Sequence, residues 1–209
     1  MRRLAFLLIF MLGSAAARAA DVTVEVRSAQ GKPVPDAVAT LYPAQGAHSG
    51  PIHFDWPMEM VQQNLQFHPF VLIVPAGATV AFPNRDDVRH HVYSFSPAHP
   101  FELKLYGRDE TRTVRFDHPG AIALGCNIHD NMIAFIKVVD TPYAAKSAAD
   151  GVVTVHGAPV GQAVLHIWHP YMRTPGNEIV RTITLPKAGV AHEIVVVELR
   201  NPPPVDQSY

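Results

Sequence analysis

The sequence predicts an all-β protein built as two sandwiches, on three observations. Nineteen prolines and thirteen glycines punctuate short runs rich in Val, Ile and Thr, the pattern of strands joined by turns. Where a period is visible it is two: Val22-Thr23-Val24-Glu25-Val26-Arg27 alternates apolar and polar, as a half-buried strand does. A loop-like stretch from Gln45 to Pro57 and a change of character after Tyr143 set off a central segment. With 209 residues, 48% of them hydrophobic, the chain has material for one large or two small β domains.

The elements follow in order. Val22–Arg27 is a strand, Ser28–Pro33 a turn, and Val34–Leu41 the return strand. One hairpin is marginal by itself, so these two strands need partners elsewhere in the chain. The central segment reads as strands over Val61–Phe67, Val71–Val74, Thr79–Phe82, Val92–Phe95, Phe101–Leu105, Thr111–Phe116, Ile122–Leu124 and Ile133–Val139. Short strands so spaced, with turn residues between them, form a sandwich. Ala144–Asp150 is small and polar, after which Val152–Val155, Gln162–Trp168, Ile179–Leu185 and His192–Leu199 supply four more strands. The tail 201–209, with three consecutive prolines, is expected to be disordered.

The first nineteen residues belong to none of this. Met1-Arg2-Arg3 is basic, Leu4–Leu12 is apolar, and Gly13–Ala19 is dominated by small residues, the layout of a secretory signal with cleavage expected after Ala19. The apolar run is too short for a spanning helix, and no later segment qualifies. The expectation is a soluble, exported protein without a membrane span. A formal net charge of −1 gives no basic surface for nucleic acid.

An exported chain normally uses cysteines in pairs, yet this one has a single cysteine. It lies in Gly125-Cys126-Asn127-Ile128-His129-Asp130-Asn131-Met132. Thiolate, imidazole and thioether within six residues suit one mononuclear copper ion held by two His and one Cys, with a weak axial Met. Coordination also resolves the conflict of a bare thiol in an oxidising compartment. The second histidine must come from elsewhere, and Phe82–Tyr93, with its adjacent His90 and His91, is the best source.

These residues resemble the cupredoxins, in which a histidine follows an F-x-N strand and a P-G turn and strand lead into a Cys…His…Met loop. That resemblance implies a Greek-key sandwich and places His90, Cys126, His129 and Met132 on the four copper ligands, His90 being preferred to His91 by the family pattern. His91, as the next residue on a strand, faces the other way. More closely, FPNRDDVRHHVYSFSP, FELKLYG and LGCNIHDNM…VVDTPY resemble cupredoxin-domain proteins labelled methylamine-utilisation proteins, over roughly Met58–Tyr143. The flanking stretches GKPVPDA and DGVVTV…APVGQAVLHIW resemble carboxypeptidase-regulatory-like, transthyretin-like (Ig-like) sandwiches. The expected organisation is a signal peptide (1–19), a discontinuous outer sandwich (20–57 with 142–200), a cupredoxin unit (58–141) inserted in or attached to it, and the tail.

Asn84 is expected to tie the His90 loop to the Cys126 loop by hydrogen bonds. Met58, Met60, Phe95 and Trp168 read as core residues, His118 as a surface residue, and His166 and His169 as facing apart. No nucleophile elbow or phosphate-binding glycine loop is present, so no enzymatic activity is expected. The leading reading is a periplasmic type 1 copper protein that carries single electrons between redox partner proteins. The alternatives are periplasmic copper storage or delivery, and a non-catalytic interaction module.

Overall fold

The computed structural model describes residues 19–45 and 48–202. The expected signal peptide falls almost wholly in 1–18, and most of the expected tail in 203–209; both lie outside the described residues. No helix among the described residues is long and apolar enough to cross a membrane.

The described residues form sixteen strands and a 3-10 turn at Pro175–Asn177. In chain order the strands are β1 (Ala19–Ser28), β2 (Val38–Pro43), β3 (Val61–Gln63), β4 (Gln66–His68), β5 (Val71–Pro75), β6 (Ala78–Pro83), β7 (His90–Ser94) and β8 (Phe101–Tyr106). The rest are β9 (Thr111–Phe116), β10 (Gly120–Cys126), β11 (Ile133–Val139), β12 (Ala144–Lys146), β13 (Val152–Pro159), β14 (Gly161–Trp168), β15 (Glu178–Leu185) and β16 (Val190–Val197).

The two ends of the chain build one sandwich. A three-stranded sheet, β13-β1-β16, packs on a four-stranded sheet, β12-β2-β14-β15. The alternation of Val22, Val24 and Val26 puts these valines inward, against Leu41, Leu165, Ile167 and Val195. β1 runs antiparallel to β13 and parallel to β16, so both of its edges are paired with strands more than a hundred residues away. Gly151 is required where the chain enters β13. Its φ is +77°, and a Cβ there would lie 2.6 Å from the Val26 carbonyl oxygen, a contact no side chain tolerates.

The middle of the chain builds the other sandwich. A mixed five-stranded sheet, β5-β11-β10-β7-β8, faces the β6-β9 pair, which residues 59–62 extend through parallel bridges to Ala81 and Asn84. Between them lie Phe82, Phe116, Ile122, Leu124, Ile136 and Met60. The expected single strand Val61–Phe67 is instead a hairpin, β3-β4. Asn64 and Leu65 take φ values of 56° and 54°, and two successive left-handed residues reverse a chain tightly.

The two sandwiches share an apolar seam. Val38 and Trp168 from one meet Val71, Ile73 and Val139 from the other. Gln45–Pro57, expected as loop, contains no strand in its described residues. It nevertheless contributes Phe54 and Trp56, stacked 4.5 Å apart, and the Trp56 indole N–H donates to the Ile73 carbonyl at 2.9 Å. At the return crossing, the Thr141 hydroxyl donates to the Leu41 carbonyl at 2.8 Å. Lys146 donates to the Val71 carbonyl of one sandwich and pairs with Asp36 of the other. A buried crossing is stable only with its polar groups so satisfied.

Candidate metal centre

β7 and β10 run side by side, with Cys126 opposite Val92 and Gly125 opposite Tyr93. That register brings the start of one strand to the end of the other. His90 opens β7 with its side chain wholly buried, Cys126 closes β10 at 3% exposure, and His129 stands half-buried in the loop between β10 and β11. The Cys126 Sγ lies 3.7 Å from His90 Nδ1 and 3.7 Å from His129 Nδ1. All three donor atoms fall within 4.8 Å of one another. With metal–sulfur and metal–nitrogen lengths of about 2.3 and 2.0 Å, a sulfur–nitrogen edge of this length corresponds to an angle near ~120° at a central ion. Two imidazoles and a thiolate at that spacing fit a trigonal soft-metal site such as copper.

The loop is tied from within and across. The Met132 N–H donates to the His129 carbonyl at 3.0 Å, and the Asn127 N–H to the His91 carbonyl at 3.0 Å. Met132 is buried at 1% exposure, in the same apolar cluster as Cys126. Burial pushes the Cys126 thiol up, but hydrogen bonds from His90, the backbone of His91 and Ile128, and His129 outweigh it and bring it down to about 6. The thiolate, the form that binds metal, is therefore favoured at neutral pH.

His90 and His91 part company as neighbours on a strand do. The His91 Nε2 meets Glu102 Oε1 at 2.8 Å on the outer face, away from the thiol. The His90 Nε2 meets Asp86 Oδ2 at 2.8 Å. Desolvation works against the His90 imidazolium, but its bonds to Cys126 and Asp86 prevail and raise its affinity for a proton. Asp86 also accepts the N–H groups of Asn64 at 2.6 Å and Leu65 at 3.1 Å. Burial raises the Asp86 carboxyl, yet these bonds hold it below the usual carboxylate range. In the neutral imidazole that binds a metal, an ionised Asp86 holds the ring proton on Nε2 and leaves Nδ1, which faces the sulfur, as the donor.

Sequence reasoning missed Asp86. The available signal was a carboxylate four residues before the histidine, within a loop short enough to fold back on it. Asn84 behaves differently from expectation. Its side-chain amide donates to the Val88 and Tyr106 carbonyls at 2.8 and 3.1 Å, and its oxygen accepts the Asp86 N–H at 2.9 Å. These bonds shape the His90 loop and join it to β8; the link to the Cys126 loop runs through the backbone of Asn127 instead.

Other residues sort plainly. Met60 is buried and Met58 packs against both the central core and the seam. His166 binds Glu178 Oε2 at 2.9 Å, whereas His169 is buried and accepts the Tyr171 N–H at 3.2 Å, so the two do not converge. Trp168 is buried at 2% exposure, but Phe95 is 84% exposed. The core reading of Phe95 is corrected: it lies one residue past β7, on the outward side that His91 and Tyr93 also occupy.

Over part of its length, this chain resembles solved cupredoxins. A purple cupredoxin from Nitrosopumilus maritimus is 18% identical, with 39% of this chain and 98% of that one covered, at a TM-score of 0.35. A reduced variant of amicyanin is 20% identical, with 48% and 98% covered and a TM-score of 0.37. A Cu-containing nitrite reductase from Thermus scotoductus SA-01 is 28% identical, with 46% of this chain covered and a TM-score of 0.38; the match spans only 25% of the reductase. No family model matches the chain, and no curated protein matches it either.

Proposed function

We propose that this protein is a periplasmic type 1 copper protein that carries single electrons between redox partner proteins. One mononuclear ion would be held by His90, Cys126 and His129, with Met132 as a fourth, weaker donor. The observation that carries this reading is the triangle of two imidazole nitrogens and one thiol sulfur, buried at His90 and Cys126 and half-buried at His129, with 3.7 Å edges to the sulfur. When bound, copper supplies a one-electron couple.

The chain's own residues supply rigidity. Asp86 orients His90, Asn84 shapes the loop that carries it, and the Asn127–His91 backbone bond clamps that loop to the one bearing Cys126. A site pinned on two paired strands changes shape little between oxidation states, which is what outer-sphere transfer requires. Burial of His90, Cys126 and Met132 supports a carrier over an enzyme, since a substrate would need an open position on the metal. Met58 and Met60 packing into the core speaks against their serving as surface donors for copper delivery. Export rests on the N-terminal residues Met1–Ala19. We further propose residues 58–141 as the copper-binding unit and 20–57 with 142–200 as the outer sandwich that carries it.

Copper(II) titration of the purified protein, followed by visible absorption and electron paramagnetic resonance, tests this. An intense thiolate-to-copper band at one equivalent is expected. Cys126→Ser should abolish it while far-ultraviolet circular dichroism remains that of a folded β protein. A band that survives in the variant would rule out the assignment.

A further inference from the structure

Beside the seam between the two sandwiches lies a cavity of about 700 Å³, of the size that holds a small molecule. Trp56, Val61, Val71 and Ile73 give it apolar walls, and β12 of the outer sandwich contributes Lys146. These walls are held in place without a ligand. Trp56 is stacked on Phe54 and donates to the Ile73 carbonyl, while Lys146 donates to the Val71 carbonyl at 2.9 Å. A preformed apolar cavity with a few polar groups is the usual form of a small-molecule site.

Strand alternation decides which charged groups face it. Residues 59–62 run parallel to the end of β6 and the residue after it, through bridges from Glu59 to Ala81 and from Gln62 to Asn84. Met60, Gln62 and Asn84 are buried on the inner side. The odd-numbered residues beside them, Glu59, Val61 and Arg85, line the cavity. Metal-loop support and cavity wall therefore come from opposite faces of the same strands.

The Arg85 backbone is fixed, its N–H donating to the Gln62 carbonyl at 2.9 Å. Its side chain is exposed and stands 3.9 Å from the Glu59 carboxylate, too far for a hydrogen bond. An exposed ion pair of that length contributes little. Among the described residues no hydrogen bond engages this guanidinium. A guanidinium fork matches a planar carboxylate through two parallel N–H bonds. Lys146 adds a second positive charge, although its own bonds go to Asp36 and Val71.

We propose that this cavity binds a small amphipathic carboxylate, with its apolar body against Trp56, Val71 and Ile73 and its charged end on Arg85. The site lies beyond the electron-carrier reading and needs no metal.

The probes are octanoate, octanol and octylammonium, equal in chain length and different in charge, titrated into the copper-free protein below micelle-forming concentrations. Calorimetry gives affinity and stoichiometry, and amide and indole resonances give the place of binding. Octanoate should bind at one equivalent, shift the Trp56 indole and the Val71 and Ile73 amides, and bind about tenfold tighter than octanol, the gain from one charge-assisted contact. Octylammonium should bind weakest of the three. Arg85→Gln should bring octanoate down to the affinity of octanol and leave octanol unchanged. Glu59→Gln, which removes the competing carboxylate, should tighten octanoate. Both positions are exposed, so neither substitution disturbs a core. No octanoate binding, equal binding of all three probes, preference for octylammonium, resonance shifts centred elsewhere, or an Arg85→Gln protein that binds octanoate as before would each overturn the proposal. The thiolate–copper band is read separately, so the carrier reading stands or falls apart from these results.

Discussion

Asp86→Asn leaves the side-chain volume almost unchanged but converts one acceptor oxygen into a donor. Three donors converge on the native carboxylate: His90 Nε2 at 2.8 Å and the Leu65 N–H at 3.1 Å on one oxygen, and the Asn64 N–H at 2.6 Å on the other. An amide nitrogen in either place therefore faces a donor. Turned toward Asn64, it forfeits a bond to a charged acceptor, a loss of about 1.5–3 kcal/mol. Turned toward His90, it makes the imidazole accept on Nε2 and moves the ring proton to Nδ1, the nitrogen 3.7 Å from the sulfur. That nitrogen then has no lone pair for a metal. Loss of a partner that orients a ligand histidine weakens metal affinity by about 10–100-fold. The assay is copper competition against a chelator of known affinity, alongside urea unfolding of the copper-free protein. The expected result is 10–100-fold weaker copper binding with copper-free stability lowered by about 1–3 kcal/mol. Affinity within threefold of wild type with stability reduced would mean that Asp86 only braces the β3-β4 turn, and the tautomer reasoning would be wrong.

Two further outcomes are expected. Met132→Leu should keep the thiolate–copper band and raise the reduction potential by about 59 mV or more, one decade in the one-electron equilibrium. The near-isosteric swap should lower stability by less than ~1.5 kcal/mol; loss of copper altogether would make Met132 a principal ligand, and an unmoved potential would make it only a core residue. His169 is held down to about 4 by burial, against an opposing pull from Asp36. Its folded pKa is depressed, so the stability that goes with neutral His169 is complete above about pH 6.5 and drains away as the pH falls toward 4. At pH 4.5 that loss is on the order of 2–3 kcal/mol. Urea unfolding at pH 7 and pH 4.5 should show a smaller loss in His169→Asn by that amount, and equal losses would refute it.

What the sequence determined by itself was local. Period-two alternation marked β1, because side chains on a strand face opposite ways whatever it pairs with. Cys126, His129 and Met132 were legible as candidate donors because His129 and Met132 follow Cys126 within six positions, and their chemistry is written in their types. Alternation also separated His90 from His91. Tertiary structure decided everything that depended on which face is covered and by what. β1 pairs with β13 and β16, strands whose distance along the chain no local pattern encodes. Alternation put Phe95 opposite Ser94, but it could not say that Phe95 stands exposed among the described residues. Asp86 and Asn84 lie two residues apart, and the sequence reading singled out only the amide. Only the folded loop aims the carboxylate at the His90 Nε2 and turns Asn84 toward Val88 and Tyr106. Side-chain direction in a turn follows from backbone dihedrals set by tertiary contacts, and residue order alone does not carry them.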